Sequence, residues 1–143
     1  MAGFGYSTLI RAYHYLGEKD KAIAALANDF RVINMPEFAL ALETAYTKGD
    51  YSGAFLRVAQ MLEERSKTVY VGPMWIGNMY ELAGEVEKAI DWYELCFQIT
   101  GPNVPYLGAR IKTPAVHSNP RFIKLLRDMK LDYWVEKYSQ PSE

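Results

Sequence analysis

The sequence contains very few cysteine and histidine residues, two types that often perform chemistry or hold metals. Its 143 residues include one cysteine, Cys96, and two histidines, His14 and His117. A single cysteine cannot form a disulfide within the chain, and it excludes a zinc site built from several cysteines. We interpret Cys96 as a buried core thiol, and both histidines as ordinary polar contacts rather than ligands or pH sensors.

Recognisable catalytic motifs are also missing from the sequence. It has no GxxxxGK or GxGxxG phosphate-binding loop, no GxSxG nucleophile turn and no HExxH zinc motif. The residues present do not supply a nucleophile, a base and an orienting group in any recognisable combination. We therefore expect a protein that is not an enzyme and that uses no metal and no cofactor.

The charges are nearly balanced, and long apolar runs are missing. Lys and Arg number 16 against 17 for Asp and Glu, which gives a formal net charge of −1. This balance argues against direct binding of nucleic acid, which usually requires a basic excess. No window approaches the roughly 18 apolar residues of a membrane span, and no secretory leader is visible. We expect a cytoplasmic protein; the periplasm stays open if the chain is an excised part of a membrane-anchored protein.

What the sequence does contain is the composition of a folded core and an internal repeat. Half of the residues are hydrophobic and 14% are aromatic, which predicts a single folded domain over residues 1–143. Three glycines lie 32 and then 35 residues apart, and each is followed five residues later by an alanine. The pairs are Gly17 with Ala22, Gly49 with Ala54, and Gly84 with Ala89.

Helical patterns flank each of these glycines. Apolar residues spaced three and four apart form a stripe before each one: Tyr6, Leu9, Ile10 and Tyr13; Phe38, Ala41, Leu42 and Ala45; Ile76, Tyr80 and Ala83. A glycine that adopts a positive φ would end the first helix, and the small alanine would let the second helix approach closely. The pattern predicts helices at about 4–16, 19–31, 36–48, 51–66, 70–83 and 86–99.

These units resemble the tetratricopeptide repeat, a helix–turn–helix unit of about 34 residues. The third copy matches best, through Ile76, Gly77, Tyr80, Gly84, Ala89 and Tyr93, although Pro73 stands where the usual tryptophan would be. The first copy keeps Tyr6, Leu9, Tyr13, Gly17, Ala22 and Leu26, and the second keeps Phe38, Gly49 and Ala54. The resemblance implies an all-α, right-handed superhelix of three helix pairs, with repeats at about 3–34, 35–68 and 69–102.

We predict that the segment 103–138 forms a C-terminal cap on the last repeat. Ser118, Asn119 and Pro120 form a helix start signal, and the apolar stripe that follows is Phe122, Leu125, Leu126 and Met129. A short further helix is predicted around Leu131 to Tyr138. The run NPRFIKLLRDMKLDYW is similar to the tail of many bacterial tetratricopeptide proteins in which the repeats follow a separate effector domain. That likeness implies a sensory or interaction module of a signalling protein or transcriptional regulator.

In this family the first helix of each pair lines a concave groove that binds a protein segment. Carried over residue by residue, the predicted groove consists of Arg11, His14, Tyr15, Leu40, Glu43, Tyr46, Met74, Trp75, Asn78 and Glu81, with Ser7, Thr8 and Ala39 beside them. Tyr, Trp, Met and Arg are typical of interface hot spots. The family's clamp for a terminal carboxylate is not supported, because its positions hold Ser7, Arg11, Leu40, Val71 and Trp75.

Several alternatives remain open at the level of sequence. The domain could form a homodimer through Trp75 or through the end from Trp134 to Tyr138, or it could bind a small molecule as a sensor. The groove could also be filled by the chain's own C-terminal tail. Two charged groups are interpreted as solvated faces: Glu81, Glu85 and Glu87, and Lys124, Arg127 and Lys130.

Overall fold

The computed structural model describes residues 5–100 and 113–139, and within these ranges all regular structure is α-helical. The described helices are α1 (Gly5–Tyr15), α2 (Lys19–Val32), α3 (Pro36–Thr47), α4 (Tyr51–Arg65), α5 (Pro73–Leu82), α6 (Val86–Thr100), α7 (Pro114–His117), α8 (Pro120–Asp128) and α9 (Asp132–Ser139). The prediction of an all-α fold is therefore confirmed for the described part of the chain. No helix in these ranges has both the length and the apolar character needed to cross a membrane.

The chain falls into two compact units, of which the first comprises residues 1–71 and 82–84. In this unit α1 packs against α2, α2 against α3, and α3 against α4. The buried apolar side chains on these helices are those of Ile10, Ala22, Ile23, Leu26, Ala27, Phe30, Phe38, Ala39, Leu42, Ala54, Phe55, Val58, Ala59 and Leu62. The alanines predicted to sit at close helix contacts, Ala22 and Ala54, are fully buried here.

The second unit comprises residues 72–81 and 85–143. In this unit α6 packs against α7 and α8, α7 against α8, and α8 against α9. Its buried apolar side chains include those of Ile76, Met79, Tyr80, Ala89, Ile90, Tyr93, Cys96, Val116, Phe122, Leu125, Leu126 and Met129. Burial of Cys96 and Ala89 agrees with their interpretation as core residues.

The repeated glycines end their helices as predicted. Gly17, Gly49 and Gly84 have φ values of 75°, 85° and 83°. In each case the amide of the following residue donates to a carbonyl five residues back, as Glu18 does to Tyr13 at 2.9 Å. This bond satisfies a carbonyl that the helix leaves open at its end. Asn34 and Lys130 end α2 and α8 in the same way, with φ values of 62° and 60°.

The predicted capping helix is present as α8. Asn119 precedes it, and its Oδ1 accepts a hydrogen bond from the Arg121 amide at 2.9 Å. Pro120 occupies the first turn, where a missing amide proton costs nothing. The predicted apolar stripe, which consists of Phe122, Leu125, Leu126 and Met129, is buried. The exposed faces of Lys124, Arg127 and Lys130 also agree with the prediction.

Two details of the predicted helices are wrong. The side chain of Leu9 was predicted to lie on the buried stripe of α1 but is 47% exposed, because Ile10 and Arg11 occupy the buried face. Helix α5 begins at Pro73 rather than at residue 70, since proline is favoured in a first helical turn. Within the predicted C-terminal segment, residues Pro114–His117 form the one-turn helix α7, and residues 103–112 lie outside the described ranges.

Candidate functional site

The predicted groove residue His14 forms contacts between helices. Its Nδ1 lies 2.8 Å from the hydroxyl of Tyr51 on α4, and the two rings stack with their centroids 5.6 Å apart. The edge of Phe55 faces the same imidazole at 5.9 Å. Burial raises the pKa of Tyr51 to about 12, so this phenol keeps its proton at neutral pH. His14 thus helps to join α1 to α4, which agrees with its interpretation as a polar contact.

Two predicted groove residues of α3, Glu43 and Tyr46, are half-buried and have partners on α2. The Tyr46 hydroxyl donates a hydrogen bond to the Asp20 carboxylate, which raises the pKa of Tyr46. Glu43 forms an ion pair with Arg31. These contacts attach α3 to α2, so both side chains contribute to the structure of the first unit.

Three of the predicted groove residues are buried, which corrects their assignment to an open surface. Arg11 is 7% exposed, Asn78 5% and Glu81 3%. Ala39, placed beside them in the prediction, is fully buried against the core of the first unit. Family spacing assigned these positions to the concave face, but the packing of α1, α3 and α5 turns them inward. The side chains of Ser7 and Thr8 lie outside the described part of the structure.

Glu81 belongs to a buried hydrogen-bond network in the second unit, so its interpretation as part of a solvated face is wrong. The hydroxyls of Tyr93 and Thr113 each donate to one of its carboxylate oxygens at 2.6 Å. The Tyr93 oxygen also lies 3.0 Å from Oδ1 of Asn78. A phenol has one proton to donate, and we assign it to the shorter contact with Glu81. By contrast, Glu85 and Glu87 are exposed, as predicted.

The remaining predicted groove residues differ in accessibility. Met74 and Trp75 on α5 are half-buried, whereas Tyr15 is 43% exposed and Leu40 is 66% exposed. Leu40 therefore has the most accessible large apolar side chain among the predicted groove residues. A leucine that faces solvent next to a depression is a candidate anchor for a partner.

Leu40 lines an open depression on the first unit, which we name the α3–α4 groove. Its volume is about 600 Å³, and its lining residues are Glu37, Leu40, Ala41, Thr44, Ala45, Lys48, Asp50, Arg57 and Met61. A second depression, of about 610 Å³, continues along α4 and shares Arg57 and Met61 with the first. Its other lining residues are Phe38, Gln60, Glu64, Arg65 and Thr68.

Sequence reasoning missed Arg57 and Met61 because it assigned binding only to the first helix of each pair. One signal was available in the sequence: the two residues lie four positions apart on α4. Residues four apart share one helix face, which here combines a cation and a thioether.

A further depression, of about 390 Å³, lies between α6 and α8 of the second unit. It is lined by Glu94, Phe97, Gln98, Arg121, Lys124, Leu125 and Asp128. Its charged groups are already engaged: Arg121 with carboxylates of α6, and Lys124 with Asp128 at 2.7 Å. We therefore regard this depression as part of the contact between α6 and α8 rather than as a binding site.

Comparison of the chain with protein-family models, with curated proteins and with solved structures finds no match. The likeness to tetratricopeptide repeats consequently rests on the glycines, alanines and aromatic residues of the sequence.

Proposed function

We propose that the chain is a non-catalytic interaction module of the tetratricopeptide type, which binds a segment of a partner protein in the α3–α4 groove. The repeat assignment is supported by the shared positive φ of Gly17, Gly49 and Gly84 and by complete burial of the alanine five residues after each. Conformation and burial recur at the same place in three copies, as expected when each copy is one helix pair.

The observation that carries the binding assignment is the exposure of Leu40 beside an open depression. Leu40 and Met61 offer apolar contact, and the surrounding side chains are polar or charged. An apolar centre with a polar rim is the usual composition of a protein-interaction surface. The depressions described on both units are open, which favours a protein segment over an enclosed small molecule.

The wider role follows from the tail. Its sequence NPRFIKLLRDMKLDYW is similar to that of bacterial proteins in which such repeats form the sensory or regulatory part beside an effector. We infer the same role for this chain, in the cytoplasm, with the partner segment supplying the signal.

A selection of peptides tests the proposal. Random peptides displayed on phage are selected on the intact chain, and their affinities are measured by fluorescence anisotropy. Leu40→Asp should weaken the selected peptides at least about tenfold, because a charge replaces the apolar anchor. Val32→Asp on α2 is the matched control, since Val32 is 70% exposed and does not line the groove.

Far-UV circular dichroism shows whether both variants keep their helices. Equal loss of binding in Leu40→Asp and Val32→Asp, or no loss in either, would contradict the assignment of the α3–α4 groove.

A further inference from the structure

The α3–α4 groove and the depression beside it contain three cations that form no ion pair within the described part of the chain. They are Lys48, Arg57 and Arg65, and all of them are exposed. Exposed cations without an ion pair are available to a charged partner.

The same linings hold three carboxylates, of which only Glu64 forms an ion pair within the described ranges. Asp50 accepts a hydrogen bond from the Gly53 amide at 2.8 Å and caps α4. Glu64 forms an ion pair with Lys67 at 2.6 Å. Glu37 is the remaining carboxylate of this lining, and it stands in the first turn of α3, where negative charge is favoured by the helix dipole.

Arg57 lies where the two depressions meet, because it lines both of them together with Met61. Its guanidinium can bind a carboxylate through two parallel hydrogen bonds. Leu40 and Met61 supply apolar surface in the same groove. A partner that fits both features needs at least one acidic side chain close to an apolar one.

We propose that the occupant of the α3–α4 groove is an acidic amphipathic segment of a partner protein. This inference rests on the proposed function and adds the chemistry of the ligand. Carboxylates of the segment bind Arg57 and the flanking Lys48 or Arg65, and a large apolar side chain packs on Leu40 and Met61. The electrostatic part sets orientation and selectivity, and the apolar part supplies most of the affinity.

The length of the groove sets the size of the probe. Helix α3 has 12 residues and is therefore about 18 Å long. A peptide of roughly 12 residues spans it as a helix, and about half that number spans it as an extended chain.

The test uses two labelled peptides with leucines at identical helical spacings, one with glutamates and the other with lysines at every remaining position. Both are titrated with the intact chain and with Arg57→Glu and Arg57→Gln variants. Arg127→Glu is the matched control, because Arg127 is also exposed and forms no ion pair within the described residues. Circular dichroism shows that each variant keeps its helices.

We expect the acidic peptide to bind the wild-type chain at least about tenfold more tightly than the basic one, and more weakly at high salt. Arg57→Glu should weaken the acidic peptide at least about tenfold and improve the basic one, with Arg57→Gln between the two. Arg127→Glu should change neither affinity.

Other outcomes would contradict this inference or the proposed function. Equal binding of both peptides, or an equal effect of Arg57→Glu and Arg127→Glu, would overturn the acidic preference. A short oligodeoxythymidine that binds as well as the acidic peptide would overturn it in favour of nucleic acid. If phage-selected peptides depend on Leu40 but not on Arg57, this inference fails and the proposed function stands. If no peptide depends on Leu40, the proposed function fails as well.

Discussion

Individual residues set how closely the helices of this chain can pack. Gly77 on α5 is the clearest case, since a Cβ atom placed there would lie 2.7 Å from Cε1 of Tyr93 and 3.2 Å from Cβ of Trp92. Both Gly77 and Tyr93 are residues on which the resemblance to the repeat was based, and the two lie in close contact. Both residues are buried, and they hold α5 against α6.

We predict that Gly77→Ala destabilises the second unit by about 1–2 kcal/mol. Overpacking costs roughly 1–3 kcal/mol, and the better helix propensity of alanine offsets up to about 1 kcal/mol of that. Gly72→Ala is the matched control, because a Cβ atom there meets nothing within 4 Å, and it should change stability by less than about 1 kcal/mol. Urea unfolding followed by tryptophan fluorescence measures both; equal stabilities would show that the helices can move apart freely.

The conformation or burial of a residue could be predicted from sequence only where it depends on neighbours close by in the chain. The positive φ of Gly49 could be predicted, because a glycine at a helix end needs no distant partner. The burial of Glu81 could not, since its hydroxyl donors Tyr93 and Thr113 are 12 and 32 residues away. The spacing of the resembled repeat predicted that Leu40 is accessible. It could not predict that Arg57 and Met61 lie in the same groove, because that depends on which side of α4 is left uncovered by other helices.

At the scale of helices, α8 is held on α6 by one arginine and three carboxylates. Arg121 donates to Glu87 at 2.7 Å, to Asp91 at 2.6 Å and to Glu94 at 3.2 Å. The three acids are spaced four and three residues apart, so they lie along one face of α6. Hydrogen bonds to Asp91, Glu94 and Glu87 raise the pKa of Arg121. In the Asn-Pro-Arg-Phe sequence, Asn119 thus caps α8 and Pro120 occupies its first turn. Arg121 forms ion pairs with α6, and Phe122 is buried.

This arrangement predicts a pH dependence of stability. Hydrogen bonds donated by Arg121 and then by Asn119 lower the pKa of Glu87 from its ordinary value of 4.5. A lowered pKa in the folded state gives stability that is present above pH 4.5 and is lost as the pH falls through the lower, folded-state pKa. The Tm of the wild-type chain should therefore fall more between about pH 6 and pH 3 than that of Glu87→Gln, which cannot titrate.

The control for this prediction is Glu136→Gln on α9, because Glu136 is exposed and has no ion pair among the described residues. Its pH profile should follow the wild type. Arg121→Gln should also reduce the fall in Tm, since it removes the hydrogen bond to Glu87 together with those to Asp91 and Glu94. A wild-type profile in all variants would mean that solvent screens the pair too strongly to affect stability.

Most helix boundaries could be predicted at this scale, because glycine, proline and asparagine signals act within a few residues. Helices α1 to α6 lie within two residues of their predicted ends, apart from the start of α5. The contact of α8 with Glu87, Asp91 and Glu94 could not be predicted in the same way. Asn119 and Glu87 are 32 residues apart, and only tertiary packing brings them together.

At the scale of the whole molecule, the two compact units each have fully buried large side chains of their own. Phe30, Leu42 and Phe55 serve the first unit, and Tyr80, Tyr93 and Phe122 the second. All three tryptophans, Trp75, Trp92 and Trp134, belong to the second unit. Tryptophan fluorescence therefore reports unfolding of the second unit alone, whereas far-UV circular dichroism reports helices of both.

We predict that the urea unfolding transitions followed by tryptophan fluorescence and by far-UV circular dichroism do not coincide. In helical repeat proteins stability is close to a sum of local terms and interface terms, so two compact units of different local stability unfold at different midpoints. Gly77→Ala should shift the midpoint measured by fluorescence. In the circular dichroism curve it should shift only the transition that belongs to the second unit. Coincident transitions in both the wild type and this variant would instead indicate one cooperative block. In that case Leu40→Asp in the groove and Gly77→Ala in the second unit would act on the same unfolding equilibrium. Each binding experiment would then need its own stability measurement.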